Sequence, residues 1–229
     1  DSVSRATHIH VMSSEWRDYL VEKQQVDPND ITVIPFGTDT DYFRYRTNRN
    51  MSDIIHLGSF ANPGSAAGDR KGTDTLVRLI DRLRKSNDFH FNMLLAGQNW
   101  REFLDVQQPD IRHFGYVSKS DLRKLYHSLD FYLILSRIEG GPVTLLEALA
   151  IGVPVISTNV GMVKDTIKTG VNGMIINKDA DEEAFDTIKY LHSHPDLVEK
   201  LALNGRKTVE DFAWKKIAPR FQQLYSKLV

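Results

Sequence analysis

Residues 113–176 read HFGYVSKSDLRKLYHSLDFYLILSRIEGGPVTLLEALAIGVPVISTNVGMVKDTIKTGVNGMII. Three short apolar runs, FYLILS (131–136), VPVIST (153–158) and GMIIN (173–177), alternate with stretches of helical spacing at 118–128, 142–151 and 162–168. Short apolar runs of this kind suit strands buried on both faces, and parallel pairing needs a helical crossover between successive strands. The alternation continues upstream through HIHVMS (8–13), ITVIPF (31–36), DIIHLGS (53–59), FNMLLAG (91–97) and IRHFGYV (111–117). Between the third and fourth of these, residues 72–86 put Leu76, Leu79, Ile80 and Leu83 on one helical face. The pattern predicts right-handed βαβ units and an α/β fold, a doubly wound, mostly parallel, Rossmann-like sheet.

The two ends of the chain read differently. Residues 1–50 hold a strand, a helix at 14–24 and the loop-like IPFGTDTDYFRYR (34–46), read as the exit segment of a preceding domain plus an interdomain linker. Residues 51–229 read as the Rossmann-like domain proper. After Asp179 the pattern is helical only, over 180–192, 195–212 and 214–228, so the sheet is expected to be complete by about residue 177.

Composition narrows the chemistry. The 229 residues include 29 basic and 30 acidic side chains and no cysteine. Disulfide, thiolate and iron–sulfur chemistry are excluded, and a net charge of −1 gives no global pull toward nucleic acid or anionic lipid. No metal-ligand spacing such as H-x3-H or H-E-x-x-H occurs, so no metal site is expected. No apolar run approaches the roughly 20 residues that span a bilayer. Lone histidines within strand patterns (His56, His90, His113) and the tryptophans Trp16, Trp100 and Trp214 read as packing residues. Arg123 and Lys124 read as a solvated helix face.

In an open α/β sheet, ligands bind outside the carboxyl ends of the strands. The loop SFANPGSAAGDRKGT (59–73) brings Arg70 and Lys71 to a helix start, where unpaired N–H groups and a partial positive charge favour an anion such as phosphate. Taken alone, the same loop reads more readily as a mobile surface connection with solvated basic residues. It carries neither the P-loop spacing nor G-x-G-x-x-G. The loop SRIEGGPVTLLEALAIGVPV (136–155) places Glu139 just past a strand end, Gly140 and Gly141 where backbone can approach a ligand, and Pro142 at a helix start. Glu147 follows in the helix, and both carboxylates can border one cleft, where each could accept two sugar hydroxyls. Thr144 and Glu147 also have capping-box spacing, which leaves a structural role open.

The order of these pieces resembles the nucleotide-sugar-binding half of a retaining glycosyltransferase of family 4, with the GT-B fold. IPFGTDTDYF (34–43) is similar to the family's P-N-G-V-D-x-x-x-F linker, and LGSF…RKGTDTLVRLIDRL (57–83) to its G-R…K-G-x-x-x-L-I segment. Residues 113–176 resemble its most diagnostic stretch, with the E-x7-E pair Glu139 and Glu147 followed by Ala150, Gly152, Pro154, Val155 and Ile156. FAWKKIAPRFQQLYSKL (212–228) is similar to its final helix, which crosses back to the other domain.

The resemblance implies roles by position. Lys71 would meet the donor pyrophosphate, Glu147 the ribose hydroxyls and Glu139 the transferred sugar near the reacting carbon. Backbone around Gly140, Gly141, Val143, Thr144 and Leu145 would hold sugar and phosphates, and Gly115, Tyr116 and Val117 would border the base. The family's arginine after glycine aligns with Ser59, so Arg70 is the candidate to replace it. The family's F-G is Gly141-Pro142 here, which removes one N–H. The implied activity is hexosyl transfer from a nucleoside-diphosphate sugar to an acceptor hydroxyl, with no metal or other cofactor. The implied partners are a glycan or lipid-linked acceptor and an N-terminal acceptor-binding domain. Polysaccharide biosynthesis in the cytoplasm, or at the inner face of a membrane, is the implied setting. A sugar-nucleotide epimerase, a phosphorylase or a non-catalytic binding module would share the same site. Without the second domain the chain is expected to bind donor but transfer poorly.

Overall fold

The computed structural model describes residues 6–47, 52–64, 69–86 and 88–228. Six parallel strands form the main sheet: β3 (Ile54–Phe60), β4 (His90–Ala96), β5 (Ile111–His113), β6 (Phe131–Ile134), β7 (Val155–Thr158) and β8 (Met174–Ile176). Their spatial order is β5-β4-β3-β6-β7-β8. The chain winds outward from β3 through α2 (Thr73–Lys85), then returns by α3 (Lys119–Ser128) to the centre. It winds out the other way through α4 (Val143–Ile151) and α5 (Val163–Thr166). This is the doubly wound sheet read from the sequence, with its order reversing between β3 and β6.

Alternation along each strand serves two cores. Tyr132 and Ile134 of β6 pack with Leu145, Leu146 and Leu149 of α4 on one face. Phe131 and Leu133 pack on the other with Leu76, Leu79 and Leu83 of α2 and with Ile188 and Leu191 of α6 (Asp181–His192). With both faces covered, the central strands β6 and β7 are buried throughout, which is why they read as short continuous runs. After β8 the described residues are helical, through α6, α7 (Pro195–Val209) and α8 (Trp214–Leu228).

Two further strands, β1 (Ile9–Val11) and β2 (Ile31–Val33), stand apart as a small parallel sheet, joined through α1 (Ser14–Gln24). The expected boundary at residues 50–51 lies outside the described residues. Several strands are shorter than their apolar runs. The run 111–117 ends as a strand at His113 because the chain turns at Gly115, φ +58°, whose carbonyl accepts from Gly97 N at 2.7 Å. The run 31–36 ends at Val33, with Ile34 N donating to Val11 before Pro35, which has no N–H to extend the ladder. Trp100 is buried, as expected, whereas His90 is exposed rather than packed.

The reversal point is also where the sheet opens. β3 pairs with β4 from Ile54 through Phe60, but with β6 only at Leu57–Phe131 and Gly58–Tyr132. Beyond that the two strands separate, and Phe60 N donates to the Tyr132 hydroxyl at 3.2 Å instead of to a strand carbonyl. A split of this kind at the strand carboxyl ends is where open α/β sheets take their ligands.

Candidate active site

A cavity of about 220 Å³ occupies this split. Its walls come from residues 59–61 at the end of β3, 132–136 of β6 and its exit, 141–144 at the start of α4, and the side chains of Lys71 and Glu139. Lys71 Nζ lies 2.6 Å from Glu139 Oε1, and the Ser136 hydroxyl donates to the same oxygen at 2.8 Å. The pair is mostly buried, with side-chain exposure of 30% for Lys71 and 14% for Glu139.

Local sequence explains how the pair forms. Gly72 caps α2 with φ +65°, and a Cβ there would sit 1.9 Å from the Leu135 carbonyl oxygen. Only glycine lets the start of α2 lie this close to the exit of β6. Lys71, one residue earlier, is thereby delivered to the segment that carries Ser136 and Glu139. From the other side, Trp16 Nε1 of α1 donates to the Glu139 carbonyl at 2.8 Å. Trp16 thus does more than the packing expected of it.

α4 begins at Val143 in the cavity wall, with Pro142 at the N-cap rather than at the first helical position. Its start carries no side-chain cap, so the capping box expected as one alternative for Thr144 and Glu147 is not formed. The Glu147 carboxylate instead accepts from the Tyr126 hydroxyl at 3.0 Å. Tyr126 is fully buried and packs against Phe60 and Tyr132, which also line the cavity. Burial pushes the Glu147 carboxyl up to about 7, against the opposing pull of the Tyr126 hydrogen bond and the Lys119 charge. Burial likewise raises the Tyr126 hydroxyl well above its ordinary value, so it stays a neutral donor.

The remaining sequence candidates divide. Ser59, Gly141, Val143 and Thr144 line the cavity with Lys71 and Glu139. Arg70 is exposed and does not line it, and its carbonyl accepts from Arg137 N at 2.8 Å. Leu145 is fully buried in the core and its N–H is spent on the Pro142 carbonyl at 3.0 Å, so it has no N–H left for a phosphate. The space beside Gly140 is filled by the protein, since a Cβ there would lie 2.8 Å from Met12 Cε. Gly115, Tyr116 and Val117 follow β5, two strands away from β3, with Tyr116 86% exposed. Arg123 stacks its guanidinium 4.8 Å from the Tyr42 ring centroid rather than lying free on a solvated face. Among the described residues no group of three or more His, Asp or Glu is placed to hold a metal ion, and no helix is long and apolar enough to cross a membrane.

This cavity, set at the reversal point and holding one ammonium, one carboxylate and a helix start, can seat a polyhydroxylated anion. The family model for glycosyl transferases group 1 matches residues 65–208. The chain belongs to that family. A relative, the MMP alpha-(1->4)-mannosyltransferase of Mycolicibacterium hassiacum, is 27% identical over 214 residues, covering 89% of this chain and 50% of that protein. The capsular polysaccharide biosynthesis glycosyltransferase CapM of Staphylococcus aureus is 25% identical over 96% of this chain and 62% of its own length. The chain thus spans about half to two thirds of these curated relatives. Among solved structures, a glycosyltransferase from Rickettsia africae superposes with a TM-score of 0.83 at 22% identity, over 96% of this chain and 63% of that one. Anabaena Alr3699/HepE in complex with UDP-glucose gives 0.81 at 16% identity, over 97% and 64%. At these identities the structural likeness establishes the fold, a GT-B-like, Rossmann-type domain.

Proposed function

We propose that this chain is the donor-binding part of a retaining family 4 glycosyltransferase that takes a nucleoside-diphosphate sugar as donor and passes the sugar to an acceptor hydroxyl. The observation that carries this reading is the Lys71–Glu139 pair in the split between β3 and β6, beside the start of α4. Without ligand the two charges neutralise each other. An arriving pyrophosphate competes for Lys71 and takes up the N–H groups at the start of α4. Glu139 is then free to accept hydroxyls of the transferred sugar, with Ser136 still steadying its Oε1. As the bond to the sugar breaks, charge grows on the departing diphosphate. A fixed ammonium and a helix start aimed at that charge lower the barrier, by up to a few kcal/mol for each well-placed donor. Glu147 serves the ribose hydroxyls as a carboxylate shared with Tyr126.

The UDP-glucose bound by Anabaena HepE supports a nucleotide-sugar donor. Its base, sugar and acceptor are not carried over to this chain. An acceptor-binding domain outside these residues, with a glycan or lipid-linked acceptor, completes the enzyme, and no metal or further cofactor takes part in this reading. Calorimetric titration of the 229-residue chain with ADP, CDP, GDP, TDP and UDP tests it. At least one is expected to bind, with no sugar transfer by the chain alone. Indifference to all five would overturn the reading, and acceptor glycosylation by the chain alone would overturn the need for a second domain.

A further inference from the structure

The Arg137 guanidinium is shared by three acidic residues from three segments. Its Nη2 lies 2.7 and 2.8 Å from the Asp74 carboxylate oxygens. Its Nη1 donates to the Asp69 carbonyl at 2.8 Å and sits 3.3 Å from the Asp69 carboxylate. Its Nε donates to Asp179 at 2.6 Å. The Arg137 backbone N–H meanwhile donates to the Arg70 carbonyl at 2.8 Å. The two peptide carbonyls just before Lys71 are therefore both held by residue 137, which is itself two residues from Glu139. Asp69 closes the turn by accepting from Asp74 N at 2.9 Å. With three carboxylates around it, and Arg78 also serving Asp74, the guanidinium has no charge to spare for a phosphate.

We infer that Arg137 is a positioning residue. It fixes the 69–72 turn against the exit of β6, so that Lys71 Nζ is placed at Glu139 and at the seat of the donor diphosphate. A flexible four-carbon stem can put its ammonium in many places, and an anchored backbone at its root restricts that choice. A planar guanidinium can serve three acidic residues at once from Nη2, Nη1 and Nε, which a single lysine ammonium does not match. The inference rests on the donor-binding reading for its functional consequence, but not for its geometry.

A double-mutant cycle on nucleoside-diphosphate affinity tests it, using whichever diphosphate of the five binds the unaltered chain. Arg137→Gln is expected to weaken binding roughly 5–10-fold when Lys71 is present and less than about twofold in a Lys71→Ala background. The matching nucleoside, which has no phosphate, should bind the Arg137→Gln and unaltered chains alike. Arg137→Lys, which keeps the charge, guards against loss of folding and should recover only part of the affinity. Equal weakening in both backgrounds, or none in either, would overturn the inference while leaving the donor-binding reading intact. A second measurement needs no ligand: mass-spectrometric footprinting of Lys71 with an amine-acylating reagent. Arg137→Gln should raise Lys71 labelling several-fold relative to Lys124 in the same chain, and an unchanged ratio would overturn the inference even if no nucleotide binds.

Discussion

Lys71→Ala is expected to raise the dissociation constant for the bound nucleoside diphosphate by roughly 10–100-fold. A hydrogen bond to a charged partner contributes about 1.5–3 kcal/mol, and each 1.4 kcal/mol is tenfold. The ammonium lines the cavity beside the helix start, so its loss removes the strongest positive charge facing the phosphates. The affinity of the unaltered chain should also fall with added salt, and that of the alanine variant less steeply. Thermal stability should fall modestly, because the largely buried Glu139 carboxylate loses its counter-charge while Ser136 still hydrogen-bonds it. Calorimetry at two salt concentrations reads both quantities. A variant that binds as tightly as the unaltered chain would remove Lys71 from the site.

Glu147→Gln should make the chain more stable and a poorer binder at once. Burial lifts the Glu147 carboxyl from 4.5 to about 7, so the folded state holds its proton more tightly than the unfolded chain. For a raised acid the favourable contribution is complete below about pH 4.5 and is lost as pH rises to 7. Above 7 the buried charge costs on the order of 3 kcal/mol. Glutamine keeps an acceptor for Tyr126 without the charge. At pH 8 the variant should therefore unfold about 6–12 °C higher than the unaltered chain, with near-identical midpoints at pH 4.5. The same ionisation should act on the ligand. A carboxylate accepts ribose hydroxyls better than a carboxylic acid, so the affinity ratio of a ribonucleoside diphosphate to its 2′,3′-dideoxy form should rise through pH 7. Glutamine should abolish that rise. Scanning calorimetry and titration across pH 5–8 check the two halves separately. A variant less stable at pH 8 would contradict the burial argument.

The sheet was legible because its signals are local. β6 and β7 are runs buried on both faces, β8 is a short apolar edge strand, and 72–86 repeats leucine and isoleucine at helical spacing. Strand ends were less so, since Gly115 and Pro35 stop ladders that hydropathy alone would continue. The site was partly legible. Lys71 stood out as a charge at a helix start and Glu139 as one just past a strand end, and the structure joins them in one ion pair. Glycines misled, because Gly140 is small to admit Met12 and Gly72, not singled out, is the one that lets α2 approach β6. Tyr126 and Arg137 went unrecognised. A buried tyrosine on a helix reads as packing, and nothing in its neighbours reveals that Glu147 lies 21 positions away in sequence and 3.0 Å away in space. Arg137 meets Asp74 and Asp179 only through the order in which β3, β6 and β8 return to one end of the sheet.

Donor binding as proposed requires the split between β3 and β6 to seat a nucleoside diphosphate. A crystal structure of the chain soaked with the tightest-binding of the five diphosphates tests it most directly. Phosphate density is expected between Lys71 Nζ and the start of α4, with Glu139 released from Lys71. Ordered nucleotide elsewhere on the molecule, with the Lys71–Glu139 pair undisturbed, would contradict it.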